Sequence, residues 1–215
     1  MDNFDRKQRG LPYIADDECN FLMMENRRKL YEFNNADCWS LGGVKKQTER
    51  LMGILGKMGN NITILPPFRC DYGSNIEVGD NFFANYNLIV LDVAKVTFGN
   101  NVFIGPNVAV YTAGHPIHPV IRNTGYEYGI PIEVGDNVWI GGNVVICPGV
   151  KIDSGSVIGA GSVVTGDIPE NVVAAGNPCK VIREITDEDM KYYFKDRVLD
   201  PEVRKNIRDI LEHGN

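Results

Sequence analysis

Residues 132–164 read IEVGDNVWIGGNVVICPGVKIDSGSVIGAGSVV, and within them aliphatic side chains recur at Val134, Ile140, Ile146, Ile152, Ile158 and Val164, every sixth position without a slip. Two residues before each lies a second series, Ile132, Val138, Val144, Val150, Ser156 and Ser162, which alternation places on the same face of a short strand. A strand of two or three residues cannot bury such a face alone, so the economical arrangement stacks short strands into a parallel β-helix whose coils share one core, an ordinary sandwich of short strands being the alternative. Three sixes per coil make a triangular prism. The period continues upstream at Phe98, Ile104 and Val110, and in another phase at Val78, Ala84 and Val90. Gly79, Gly99, Gly105, Gly135, Gly141 and Gly159 each follow an aliphatic position, where a permissive backbone suits the corner between faces. Spacing leaves the hand of the coil open.

Outside this repeat the pattern turns helical, which divides the chain into an N-terminal helical cap (1–60), a β-helix (61–185) and a C-terminal helical tail (186–215). In the cap, Cys19, Leu22, Met23, Asn26 and Leu30 fall on one helix face, and Val44, Leu51, Met52 and Leu55 on another. The tail opens with TDED, in which Thr186 caps and Asp189 closes a capping box, and continues with Val203, Ile207, Ile210 and Leu211 at amphipathic spacing. Helices at both ends suit a solenoid, whose terminal coils otherwise present open edges.

With a net charge of −6, the 215-residue chain does not suit nucleic-acid binding through a broad basic face, and any anionic ligand must meet local cations. The start, MDNFDRKQRG, lacks a secretory apolar segment and no run is long enough to span a membrane, so a cytoplasmic location is expected. Cys19, Cys38, Cys70, Cys147 and Cys179 are odd in number and contain no CxxC pair, and are read as small buried hydrophobes.

Between Val110 and Val134 the six-residue positions fall on Pro116, Arg122 and Tyr128, so the segment 112–131, TAGHPIHPVIRNTGYEYGIP, leaves the coil as a loop. His115 stands between Gly114 and Pro116, where stiff neighbours hold it at the loop root; a neutral imidazole so placed can accept a proton from an alcohol. Hydrogen-bonded scaffolding is the competing role. His118 reads as structural.

The runs FRCDYGSNIEVGDNFFANYN (68–87), YTAGHPIHP (111–119), VGDNVWIGGNVVICPGVKI (134–152), VIGAGSVVTGDIPENVVAAGNPCKVIREI (157–185) and YYFKD (192–196) together resemble the galactoside and maltose O-acetyltransferases nearly end to end. The resemblance implies a mainly β fold, a left-handed parallel β-helix, assembled as a homotrimer with active sites between subunits, where acetyl-CoA acetylates a sugar hydroxyl. It makes His115 the general base and Asn85 the stabiliser of the transition state, whose oxygen gathers charge as the thioester is attacked. No serine or cysteine nucleophile is needed, so direct transfer is implied. Asp17 and Asp71 match positions that contact the acceptor, although Asp17 suits a helix cap and Asp71 a turn. Trp139, turned outward by alternation, suits a substrate wall or a subunit interface. For acetyl-CoA the pattern points to Gly142, Ala160, Thr165, Gly166, Lys180 and Arg183, the last two supplying cations for phosphates; a solvated face is the plain alternative.

Two positions depart from that family. Val93 stands where galactoside-acetylating relatives carry an acid, which with Asp71 makes the acceptor pocket resemble the maltose type, whereas the C-terminal extension with YYFKD resembles the galactoside type, and Gly166 stands where many carry lysine. Rival functions are a xenobiotic acetyltransferase of the same repeat, a zinc-dependent hexapeptide carbonic anhydrase and a noncatalytic trimeric scaffold. The carbonic anhydrase needs three histidines about its metal, and His115, His118 and His213 are too scattered, so no metal is expected.

Overall fold

The computed structural model describes residues 3–37 and 40–213; Cys38 and the side chain of Val44, both given packing roles above, lie outside the described residues. Backbone packing divides the chain into two compact units, 1–183 and 184–215.

The first unit is a parallel β-solenoid. One face holds Lys57–Met58, Ile76–Val78, Val96–Phe98, Ile132–Val134 and Lys151–Ile152 in that order. The second runs from Thr63–Ile64 through Phe83–Ala84, Phe103–Ile104, Trp139–Ile140 and Val157–Ile158 to Val172–Ala175, with Lys180–Glu184 last. The third holds Phe68–Cys70, Leu88–Leu91, Ala109–Tyr111, Val145–Ile146 and Val163–Val164. Every one of the period-six residues from Val134 to Val164 is buried, as is the companion series including Ser156 and Ser162. The two serines survive inside because each hydroxyl donates to a main-chain oxygen, Ser156 to Pro169 at 2.7 Å and Ser162 to Gly159 at 2.5 Å. Each valine or isoleucine so buried contributes roughly 1.5–3 kcal/mol.

The two phases of the repeat have one cause. Val134 pairs with Ile152, 18 residues on, as three sixes require, but Val78 pairs with Phe98, 20 residues on. The additional residues all enter at the joint between the third and first faces: Cys70 to Val78 and Val90 to Phe98 take eight residues, against six from Ile146 to Ile152. The loop leaves from the same joint, since Phe98 pairs with Val134 across it. Three successive coils are therefore lengthened on one edge of the prism.

Corner chemistry differs from the expectation for the glycines. Gly79, Gly99, Gly105, Gly135, Gly141 and Gly159 do not have positive φ; Asn61, Asn81, Asn101 and Asn137, at the ends of the corners, take that conformation at φ 55–58°. Their side chains form a ladder, each donating Nδ2–H to the next Oδ1 at 2.9–3.0 Å. The glycines are required by proximity instead: a Cβ on Gly79 would lie 2.7 Å from the carbonyl carbon of Gly99 in the next coil.

The helices are α1 (Asn3–Gln8), α2 (Asp17–Asn34), α3 (Leu41–Met52), a short α4 (Pro119–Arg122) inside the loop, and α5 (Pro201–His213). In α2, Cys19, Asn26, Leu30 and Phe33 are buried, while Leu22 faces outward. Leu51 and Leu55 pack into the core but Met52 is exposed. Asn34 clasps the first coil, donating Nδ2–H to Phe68 O and accepting from Phe68 N, both at 2.8 Å. Cys19, Cys70 and Cys179 are buried and Cys147 half-buried, all as free thiols. The second unit holds a one-turn 3₁₀ helix, in which Asp189 accepts from Thr186 N at 2.9 Å, a Tyr192–Phe194/Arg197–Val198 hairpin, and α5. Among the described residues no helix is long and apolar enough to cross a membrane.

Candidate active site

The lengthened edge is where titratable groups collect. Asp92, fully buried, accepts at Oδ1 from Asp71 N (2.8 Å) and Tyr72 N (3.0 Å), so one carboxylate shapes the joint one coil below its own. Its Oδ2 has no partner among the described residues, and burial pushes its pKa above the usual carboxylate range. The turn role considered for Asp71 thus belongs to Asp92. Asp71 itself is half-buried, and desolvation with the neighbouring Asp92 charge raises its carboxyl to about 6. Lys7, nearly buried on α1, places Nζ 3.1 Å from the centre of the Tyr72 ring, and desolvation lowers its pKa.

The loop root is fixed against this edge. Ala113–Gly114 pairs antiparallel with Tyr128–Gly129, and Tyr13 joins by mutual backbone hydrogen bonds with Glu127 at 2.9 Å. A Cβ on Gly114 would meet the Tyr128 ring at 2.6 Å, and one on Gly129 would meet Val93 Cγ1 at 2.8 Å, so the stem approaches as closely as it does only through glycine. Tyr13, Cys19, Tyr72 and Val93 form a second small core with Ala15, Met23 and Ala113 at its margin. That core joins the start of α2, both lengthened joints and the stem that bears His115. Asp17 is the exposed first residue of α2; the cap is Asp16, which accepts from Cys19 N at 3.1 Å. His115 is exposed, its Nδ1 in a long 3.5 Å contact with Tyr126 O; donation there leaves Nε2 as the basic nitrogen. His118 caps α4, accepting from Val120 N at 3.3 Å.

The other candidates lie elsewhere on the prism. Asn85 is at the corner between the second and third faces, half-buried, with Oδ1 accepting from Tyr86 N at 2.7 Å, which leaves its amide hydrogens to donate. Gly142 and Ala160 occupy that same corner in later coils. Trp139 projects from the second face, 57% exposed, between Phe103 and Val157. Thr165 and Gly166 follow the last third-face strand, and a Cβ on Gly166 would enter open space. Lys180 and Arg183 are exposed on Lys180–Glu184. Within one chain, Asn85 and the His115 stem are separated by the width of the third face, about 13 Å for a four-residue strand.

A family model described as bacterial transferase hexapeptide (six repeats) matches residues 131–166. The galactoside O-acetyltransferase of Escherichia coli is 48% identical over 84% of this chain and 87% of its own length. The chain belongs to the hexapeptide-repeat O-acetyltransferase family. A galactoside acetyltransferase structure in complex with coenzyme A superposes with a TM-score of 0.88 at 44% identity, covering 93% of this chain and 99% of that one. A maltose O-acetyltransferase from Clostridium difficile superposes at 0.83 and 46%, covering 87% and 99%.

Three residues of this edge were given no role by the sequence: Lys7, Tyr72 and Asp92, although Tyr72 lies within the run 68–87 and Asp92 within LDV. The available signal was the spacing, because the eight-residue steps after Cys70 and Val90 mark joints that hold more than a turn requires. Among the described residues no cluster of three or more His, Cys, Asp or Glu side chains is disposed to hold a metal.

Proposed function

We propose that the protein transfers the acetyl group of acetyl-CoA to a sugar hydroxyl, at sites completed between neighbouring subunits of a homotrimer. The supporting observation is the small core of Tyr13, Cys19, Tyr72 and Val93, which ties together the elements that bear Asp17, Asp71 and His115, while Asn85 lies a face away. A threefold assembly brings that edge of one subunit against the Asn85 corner of the next. Asp17 and Asp71 accept hydrogen bonds from the acceptor; Nε2 of His115 takes the attacking hydroxyl's proton as the oxygen bonds to the thioester carbon. Asn85 donates its amide to the developing oxyanion, worth roughly 3–4 kcal/mol. Collapse breaks the C–S bond, and the proton on His115 passes to the departing thiolate. Trp139 walls the acceptor. Gly142, Ala160, Thr165 and Gly166 admit the pantetheine arm along the coils, and Lys180 and Arg183 meet the nucleotide phosphates. Val93, packed against Gly129, offers no hydrogen bond, which favours maltose or glucose over galactosides. Free thiols throughout the described residues suit a reducing cytoplasm.

The test is coenzyme A thiol release with maltose, glucose, a thiogalactoside and chloramphenicol. Maltose or glucose should turn over fastest, and His115→Ala should lose at least about 10²-fold in kcat with its melting temperature unchanged. Near-normal turnover in that variant overturns the base assignment, and chloramphenicol as the preferred acceptor overturns the substrate class.

A further inference from the structure

Beside the lengthened edge, α2 and the first coil enclose a separate concavity of about 570 Å³, lined among others by Arg27, Tyr31, Asn34, Asn35, Pro67 and Arg69. Three features set it apart. Arg27 and Arg69 are exposed, and neither guanidinium has a hydrogen-bond or ion-pair partner among the described residues. Tyr31 is 70% exposed, one helical turn beyond Arg27, so its ring lines the same wall. The polar neighbours are already committed: Asn34 is bound to the Phe68 backbone and Asn35 donates to Tyr31 O at 2.8 Å. In a chain of net charge −6, two arginines without a direct hydrogen-bond or ion-pair partner lining one hollow are an exception to the general field.

The lining reaches Cys70, the residue before Asp71. Phe68–Cys70 alternates buried, exposed, buried, so Arg69 points outward two residues before Asp71. The strand ends at Cys70, so Asp71 opens the joint directly beyond the strand that carries Arg69. Arg27 follows Asn26, whose Nδ2 donates to Asp71 O at 3.1 Å, and its charge acts on the Asp71 carboxyl.

We propose that Arg27, Tyr31 and Arg69 form a subsite for a negatively charged substituent, phosphate or carboxylate, on the acceptor whose ring is held at Asp71. Arginine forks bind either group through paired N–H donors, and the tyrosine ring supplies an apolar face for the sugar's C–H groups. This rests on the acceptor reading of Asp71 given above but not on catalysis, and binding tests it apart from turnover.

Affinities of the full-length protein for methyl glucoside, methyl glucuronide and glucose 6-phosphate should be measured by ligand-observed NMR at low and high salt. At low salt at least one anionic probe should bind about tenfold more tightly than the glucoside, and the advantage should shrink as salt rises. Which of the two anions gains more assigns carboxylate or phosphate. Arg27→Gln and Arg69→Gln should each reduce the anionic-to-neutral ratio by about fivefold, equivalent to one charge-assisted contact. A ratio near one in the wild type, or a ratio unchanged in both variants, overturns the subsite. If the ratio holds while no acetyl transfer is found, the subsite stands and the proposed reaction fails; transfer to the glucoside with a flat ratio has the reverse meaning.

Discussion

Replacing Asp92 by alanine strips two amides, that of half-buried Asp71 and that of buried Tyr72, of their acceptor. Each unsatisfied donor costs about 1–3 kcal/mol, so Asp92→Ala should lower stability by about 2–6 kcal/mol in urea denaturation and blur the joint that presents Asp71. Asp71 predicts a pH dependence of definite sign. Its carboxyl titrates near 6 in the fold against an ordinary 3.8. Between those values the folded chain holds a proton the unfolded chain has lost, so Asp71 erodes stability as pH rises from about 4 to 6 and its cost is complete above that. Asp71→Asn should therefore flatten that segment of the stability profile and gain most over the wild type at pH 7–8, while acceptor affinity falls. The sequence assigned a role to Asp71 but none to Asp92, because nothing local in LDV says that its carboxylate serves another coil's backbone.

For the coils, the glycine at each corner is a clearance. Gly99→Ala would place a Cβ 2.7 Å from the backbone of Asp136 and Gly135, with no flexible side chain alone to give way. A loss of about 1–3 kcal/mol is expected, read as a fall in melting temperature. In contrast, a Cβ on Gly42, exposed within α3, meets nothing within 4 Å, and Gly42→Ala should stabilise by about 0.5–1 kcal/mol. Periodicity announced which side chains face inward, down to the buried serines, since a period of six is a statement about direction. It was silent on the gap between neighbouring coils, which is why the glycines were read for backbone freedom when Asn61, Asn81, Asn101 and Asn137 supply the left-handed turns. The lengthened joints were visible only as a change of phase, and Lys7, delivered from another element, left no trace in the repeat.

At the scale of the proposed homotrimer, the division of candidate residues between two edges makes a prediction that a single-chain site does not. His115→Ala and Asn85→Ala subunits, each inactive alone, should recover activity when unfolded together and refolded as mixed trimers. Random mixing at equal amounts gives about a quarter of sites an intact histidine from one chain and an intact asparagine from its neighbour. Thiol release at that level, absent when the variants are mixed without exchange, is the expected result. The clasp of Asn34 on Phe68 has a different bearing at this scale. It occupies the Phe68 carbonyl at the first rung of the third face, the group whose counterparts at Val108 and Val144 accept from the preceding strand. Stripped of α2, such a rung is a growth template: further copies could seat end to end on it and extend the prism as a filament, so the helix that shapes the acceptor edge also keeps the solenoid finite.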